Sequence, residues 1–293
     1  MEIIIEIEDE SQRSQIETEL KLFGSLFTKI FPNLYVTSMV VPLDFSAQVN
    51  ILLGTTNYID KRGYVTALAR YVERDGNYSI VFSPKLFEKY DDTRTRFFLY
   101  FHELTHVWNG KCLSKIDENG KNSYYLHQLD VMYDEYVADR TSYLITDALA
   151  DEGSLFVTTD KWVKYIYQVI SDFGNLVFTS EQRDFIQSEV DLYRSHGDIS
   201  LFSKRTRYVQ SSIMIFSVHA FATFHHYPQI AKEIPFNDWY FVNKNTIALM
   251  DYLEEKYSSN ATELDDGIEL IRNYIKNFGI DRLDGEHFYA VDL

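Results

Sequence analysis

Two histidines separated by three residues give the strongest chemical signal in this chain. The segment His102-Glu103-Leu104-Thr105-His106 has the pattern H-E-x-x-H. On a helix, side chains four positions apart lie on one face, one turn above the other. Both imidazoles can therefore reach one metal ion, and zinc is the ion that this spacing suits best. Glu103 is placed to hold and deprotonate a zinc-bound water, not to bind the metal.

The flanks of the motif predict a buried helix. An aromatic run from Phe97 to Phe101 precedes the motif, and Val107-Trp108 follows it. Asp91-Asp92 can cap the helix start and complement its dipole. Asn109-Gly110 is a stop signal, so the helix is predicted to end there.

A catalytic zinc site that keeps one position open for water needs a third protein ligand. Acidic residues lie downstream, where Glu135 and Asp139 are four positions apart and share one helical face. Asp130 and Asp134 are rival ligands on the same segment. The residue types alone leave this choice open.

The motif and the downstream acidic segment together resemble the gluzincin metallopeptidases, zincins whose best-known relative is thermolysin. These enzymes pair H-E-x-x-H with a downstream glutamate in an E-x-x-x-D setting, and the similarity here covers Thr93 to Leu144. The resemblance implies one zinc ion per chain, with these roles: His102, His106 and Glu135 as ligands, Glu103 as general base, and Asp139 as hydrogen-bond partner of a ligand histidine. The gap between His106 and Glu135 is longer than in thermolysin, so residues 111–126 must form an excursion.

The same resemblance directs attention to hydrogen-bond donors in the second half of the chain. Gluzincins often use a downstream His, Tyr or Arg to steady the oxyanion of the reaction, a role that donors fill generally. The candidates are His219, His225, His226 and Tyr227, and His226 is taken as the oxyanion donor. Packing is the alternative role, because no spacing rule ties these residues to the zinc motif.

A β-hairpin is predicted shortly before the motif. Asp75-Gly76 separates two apolar runs, which is a strong hairpin signal. Zincin-like enzymes present a sheet edge above the metal, and substrate adds to it as another strand. Substrate contacts are therefore expected at Tyr78, Ile80 and Phe82, unless this run is a plain interior strand.

Length and composition predict a folded protein, and the order of its elements together with the resemblance implies the α+β class. The chain has 293 residues, 45% of them hydrophobic and 16% aromatic, which is ample for a core. A strand, a helix and a small sheet precede the motif, which is the order of a zincin-like N-terminal lobe. We expect residues 1–150 to form this lobe, with H-E-x-x-H and the third-ligand helix. Residues 151–293 are expected to form an entirely helical lobe that completes the cleft.

Charge and cysteine content indicate which classes of partner and which cellular compartment to expect. The net charge is -16, and no Lys/Arg block is present to neutralise phosphates, so nucleic acid is not an expected partner. The sequence shows neither a signal-peptide pattern nor a long apolar stretch, so no membrane partner is expected. The single cysteine, Cys112, favours a reducing compartment, and a cytoplasmic location is predicted. Cys112 itself is read as a packing or surface residue.

These inferences predict a zinc metallopeptidase that hydrolyses peptide bonds in a peptide or protein substrate. Two other functions stay open. One is a non-catalytic regulator that binds a partner through a zincin scaffold, and the other is a zinc hydrolase of non-peptide bonds. The oligomeric state is not predicted by the sequence.

Overall fold

A computed structural model describes residues 1–58, 61–62, 65–90, 92–112, 123–151, 159–283 and 287–290. The chain divides into two compact units. The first unit contains residues 1–111 and 141–159, and the second contains residues 112–140 and 160–293. The expected division at residue 150 assigned residues 112–140 to the first half of the chain, whereas these residues cluster with the second unit.

The first unit is built on a four-stranded sheet. Its strands are β1 (Glu2–Ile5), β2 (Ser38–Val41), β5 (Ala69–Arg74) and β6 (Asn77–Phe82). Their order is β1-β2-β6-β5, with β5 antiparallel to β6 and the other pairs parallel. A two-stranded ladder, β3 (Lys61–Arg62) with β4 (Val65–Thr66), lies between β2 and β5 in the chain.

Helices cover both faces of this sheet. They are α1 (Glu10–Ile30), α2 (Phe45–Leu53), α3 (Pro84–Lys89), α4 (Thr93–Cys112) and the last turns of α5 (Ser123–Asp151). Because side chains alternate along a strand, Ile80 and Phe82 join the core cluster of α1 and α4, whereas Val72 and Val81 pack with α2. The H-E-x-x-H helix therefore lies against a rigid sheet face.

The hairpin between β5 and β6 forms as predicted. Asp75 and Gly76 connect the strands and both adopt positive φ, 53° and 77°. These angles fit a two-residue hairpin turn, in which glycine carries no steric cost. The hairpin fixes the strand register from Ala69–Phe82 to Arg74–Asn77.

The second unit is mainly helical. After the first turns of α5 it contains α6 (Thr159–Val177), α7 (Ser180–His196), α8 (Ile199–His226), α9 (Pro228–Glu233), α10 (Lys244–Ser258) and α11 (Ile268–Ile275), then β7 (Ile280–Leu283) and β8 (His287–Ala290). The prediction of an entirely helical second half is wrong, since β7 and β8 pair as an antiparallel hairpin. Thr179 caps α7, because its side chain accepts the N–H of Gln182.

A buried carboxylate joins three elements of the second unit. Asp281 on β7 is 1% exposed and accepts a 2.7 Å hydrogen bond from the hydroxyl of Tyr125 on α5. It also accepts two hydrogen bonds from the Arg272 guanidinium, at 2.9 and 3.1 Å. The start of α5 is thereby tied to residues much later in the chain.

The α+β class predicted from the sequence is confirmed: helices predominate, accompanied by a small sheet. Helix α1 begins after an Asp9 cap, whose side chain accepts the N–H of Gln12. One local prediction is wrong. Helix α4 continues through Asn109-Gly110 to Cys112, because Asn109 is buried at 3% exposure and tertiary packing outweighs its local preference.

Several expectations fall outside what the structure describes. They concern Asp91, the side chain of Cys112, and residues 113–122 of the excursion expected over residues 111–126, whose ends belong to helices α4 and α5. Within the described ranges, none of the helices combines the length and apolar character needed to cross a bilayer.

Candidate metal centre

Helix α4 forms because its start is capped and one face is apolar. The Asp92 carboxylate accepts the backbone N–H groups of Arg94 and Thr95, which confirms this residue as the cap. Below it, a row of fully buried apolar residues faces the sheet and α1; these residues are Phe97, Tyr100, Phe101, Leu104 and Val107. The motif histidines project from the same helix but do not belong to this apolar row.

Buried ion pairs fix the helix within the first unit. The Glu19 carboxylate of α1 accepts a bidentate pair of hydrogen bonds from Arg96, at 2.8 and 2.6 Å, and one from Tyr100 at 2.7 Å. The fully buried Arg94 pairs with Asp147 near the end of α5. These contacts set the rotation of α4 about its axis, which is what aims the histidines.

His102 and His106 come together as the spacing predicts. Both rings are buried, at 7% and 5% exposure, and their Nε2 atoms lie 3.0 Å apart. Two nitrogen ligands of a tetrahedral zinc ion, at about 2.0–2.1 Å each, lie roughly 3.3 Å from one another. The two rings therefore already point at a common position with nearly the spacing that one zinc ion requires.

Glu135 is the acidic residue that joins this pair. Three residues, His102, His106 and Glu135, each offer one ligand atom, and these three atoms all lie within 4.8 Å of one another. Among the described residues, neither Asp130 nor Asp134 belongs to such a group. Burial and the nearby Asp134 charge raise the pKa of Asp130, and the opposing effect of His127 does not offset them.

Glu103 is oriented by the edge of the sheet. Its Oε2 atom accepts a 2.8 Å hydrogen bond from the backbone N–H of Tyr71 on β5. The ring of Tyr71 also stacks on His106, with ring centroids 5.6 Å apart and an interplanar angle of 27°. One residue of β5 thus contacts both the predicted base and a predicted ligand.

Asp139 is buried and bonded to a histidine of the second half of the chain. Its Oδ2 atom lies 2.6 Å from Nδ1 of His219 on α8, and the residue is only 2% exposed. Asp139 lies four positions after Glu135, so both carboxylates project from the same face of α5, about 6 Å apart along its axis. The expected bond from Asp139 to a ligand histidine stays a prediction, whereas the bond to His219 is observed.

Two further residues of α5, Tyr136 and Arg140, bond to a different acidic residue, Glu254. Tyr136 donates a 2.6 Å hydrogen bond to Glu254 on α10, and Arg140 donates two more at 3.0 Å each. A phenol has one proton and a carboxylate only accepts, so Tyr136 must accept its other hydrogen bond from Nδ1–H of His225. Glu254 consequently anchors α5 one residue away from both Glu135 and Asp139.

The surroundings shift the pKa values of this group in opposing ways. Burial raises the pKa of Glu254, but the hydrogen bonds and charge of Tyr136 and Arg140 outweigh it and bring the pKa below its ordinary 4.5. Burial lowers the pKa of His225, against the charges of Glu254 and Asp251. Burial and the Glu254 bond strongly raise the pKa of Tyr136. At neutral pH, Glu254 is charged and His225 is neutral.

The expected substrate strand lies inside the sheet. Strand β6 pairs with β2 on one side and β5 on the other, so the prediction of Tyr78, Ile80 and Phe82 at a sheet edge is wrong. Ile80 and Phe82 are also fully buried. The edge on this side is β5. A sequence pattern does not reveal it, because the pairing of β6 with β2 is non-local.

The predicted oxyanion donor, His226, occupies the last position of α8 beside Tyr227, with ring centroids 4.5 Å apart. It is two turns along α8 from His219 and on the same face. Its role is still a prediction. Sequence reasoning missed Tyr71 and Glu254, which belong to no motif and whose contacts join residues distant in the chain.

Comparison with protein-family models, curated proteins and solved structures finds no match to this chain. The case for a function therefore depends on the geometry described above.

Replacing Glu254 by Gln should destabilise the protein. The change removes the charge that Arg140 and Tyr136 bond, with an expected loss of about 2–3 kcal/mol in the free energy of unfolding. Urea unfolding at pH 7 measures this loss. Glu255→Gln, the same change at an exposed neighbouring position, is the control and should cost little.

The pH dependence gives this prediction a second check. Because the folded pKa of Glu254 is lowered, its stabilisation is present above pH 4.5 and is lost as the pH falls through the folded value. The difference between the wild type and Glu254→Gln should therefore shrink below pH 4.5. A difference that stays constant or grows there contradicts the assigned role of Glu254.

Proposed function

We propose that this protein is a zinc-dependent peptidase with a gluzincin-like active site. The observation that carries the proposal is the group formed by His102, His106 and Glu135, with Glu103 directly after the first histidine. Two imidazoles and one carboxylate are a known ligand set of catalytic zinc, and three protein ligands leave a fourth position for water or substrate. The proposal includes a cytoplasmic location, which the single cysteine favours.

The donor chemistry fits zinc better than other common ions. Calcium and magnesium prefer oxygen ligands, whereas imidazole nitrogen suits zinc. The 3.0 Å separation of the two Nε2 atoms fits a small tetrahedral ion. When bound, zinc supplies a Lewis acid for the substrate carbonyl and lowers the pKa of a water ligand towards about 7.

Glu103 has the proton-transfer role in this proposal. Its carboxylate accepts the proton of the attacking water and later passes it to the leaving amine. The N–H of Tyr71 fixes one carboxylate oxygen, at 2.8 Å, and so orients the group. Glu103 is half-buried, which leaves its carboxylate partly accessible to water and substrate.

A substrate segment can add to β5 instead of β6. The N–H of Ser83 donates to the carbonyl of Leu68. Because hydrogen-bonded pairs alternate in an antiparallel ladder, the even-numbered residues of β5 bond to β6 through their backbone groups. The backbone groups of Ala69 and Glu73 and the carbonyl of Tyr71 therefore point away from β6 at the sheet edge, where the N–H of Tyr71 is already donated to Glu103. An extended peptide is the natural partner for such an edge.

His219 joins His226 as a candidate for the oxyanion role. Its bond to the buried Asp139 holds the ring in one orientation. A positioned imidazole N–H can donate a hydrogen bond to negative charge that develops on a carbonyl oxygen. Asp139 then acts on the reaction through His219, in addition to any bond with a ligand histidine.

The metal content tests the ligand set. Purified protein should contain about one zinc ion per chain. Glu135→Ala should lose most of this zinc, whereas Asp134→Ala, one residue earlier on the same helix, should retain it. The opposite pattern would show that the third ligand is wrong.

Glu103→Gln separates an enzyme from a scaffold. The amide keeps the size of the side chain but cannot accept the proton, so hydrolysis of a peptide library should fall about 10²- to 10⁴-fold. Zinc content and melting temperature should match the wild type. A cellular phenotype that survives this change supports the regulator, and activity confined to ester or non-peptide amide substrates supports the other hydrolase.

Asp139→Asn and His219→Gln test the pair on α5 and α8. If Asp139 acts through His219, both variants should lower kcat by a similar factor, about 10²- to 10³-fold, with zinc affinity close to wild type. If Asp139 orients a ligand histidine, Asp139→Asn alone should weaken zinc binding about 10- to 100-fold. Chelator competition and steady-state kinetics separate the two results. Wild-type values for both variants exclude both roles.

A further inference from the structure

Tyr71 lies where the edge strand meets the H-E-x-x-H helix. Its side chain points to the face of the sheet that α4 covers, because it packs with the α1 and α4 cluster while the next residue, Val72, packs with α2. The residue is half-buried and lies at the centre of β5. This position brings both its ring and its backbone to the motif.

The ring contact restrains a ligand. The phenol ring lies nearly parallel to the imidazole of His106, at 27° and with centroids 5.6 Å apart. A flat neighbour at this distance limits rotation of the imidazole about its side-chain bonds. It therefore keeps Nε2 of His106 directed towards Nε2 of His102, 3.0 Å away.

The backbone contact restrains the base. The backbone hydrogen bonds between β5 and β6 involve Leu68 and every second residue after it. Tyr71 falls between these positions, so its N–H points away from β6. That N–H is donated to Glu103 Oε2 at 2.8 Å. A hydrogen bond from a sheet backbone is a rigid restraint, since the donor has no rotamer of its own.

We propose that Tyr71 is a positioning residue for both halves of the site, setting the ligand His106 through its ring and the base Glu103 through its backbone N–H. The two contacts use different atoms, so they predict separable defects. Loss of the ring weakens metal binding, and loss of the N–H slows proton transfer without changing metal affinity. The inference depends on the proposed zinc peptidase function.

Side-chain variants test the ring. Tyr71→Leu and Tyr71→Met should weaken zinc affinity about 10- to 100-fold in chelator competition, as loss of a group that orients a ligand typically does. Tyr71→Phe keeps the ring and should stay within about twofold of wild type. Tyr90→Leu is the matched control: its ring packs on the same core cluster at the end of α3, and its removal should lower the melting temperature without weakening zinc binding.

A backbone variant tests the N–H. Replacing the amide of Tyr71 by an ester, in semisynthetic full-length protein, deletes that donor and keeps the ring. It should lower kcat about 10-fold or more, the usual effect of losing a hydrogen bond to a charged group, and leave zinc affinity unchanged. The same ester at Ala69 is the control, since the N–H of Ala69 also points away from β6 but is not the one that bonds Glu103.

The outcomes distinguish this inference from the function it depends on. A wild-type protein that binds no zinc contradicts the metal site itself. Zinc binding without peptide hydrolysis contradicts the peptidase, and the ring variants still decide whether Tyr71 holds His106. Equal zinc affinity of wild type, Tyr71→Leu and Tyr71→Met overturns the ring role, and equal kcat for the esters at 71 and 69 overturns the backbone role.

Discussion

Two buried imidazoles one helical turn apart are the constraint around which the first unit is arranged. Burying a polar ring costs free energy unless the ring is hydrogen-bonded, and here His102 and His106 are both less than 10% exposed with their Nε2 atoms 3.0 Å apart. Helix α4 tolerates them because its other face buries a continuous aromatic row, and because Glu19 and Asp147 neutralise the two arginines of its first turn. The resulting helix cannot rotate without breaking these contacts, so the direction of the histidines is fixed by residues that do no chemistry.

Helix α5 likewise directs two carboxylates through contacts made by neighbouring residues. Glu135 and Asp139 occupy one face, and Tyr136 and Arg140 occupy the adjacent face one residue on. The second pair is bonded to Glu254, so the helix is held by a charged network directly beside the face that would serve the metal. A carboxylate aimed by a clamped helix loses little further side-chain freedom on binding an ion, which favours tight binding.

The parts of the fold that follow from local chemistry were predictable. The helical period places His102 beside His106, Asp75-Gly76 forms the hairpin turn, and Thr179 caps α7. The predictions fail where contacts between segments distant in the chain determine the structure. Asn109-Gly110 does not end α4 because tertiary burial outweighs a local stop signal, and β6 is interior because β2, about 40 residues earlier, pairs with it. The bonds from Asp139 to His219 and from Tyr71 to Glu103 join residues 80 and 32 positions apart, beyond the reach of any periodic pattern.

The buried Asp281 sets an order of events during synthesis. Its bond to Tyr125 at the start of α5 spans 156 residues, which a ribosome adds in roughly 8–31 s at 5–20 residues per second. Throughout that interval the nascent chain already carries His102, Glu103 and His106 on a helix whose partners α1 and the sheet have been made. The helix that bears Glu135 gains its bond to Asp281 only after translation has passed Asp281, well after the segment that carries His102 and His106 has been made.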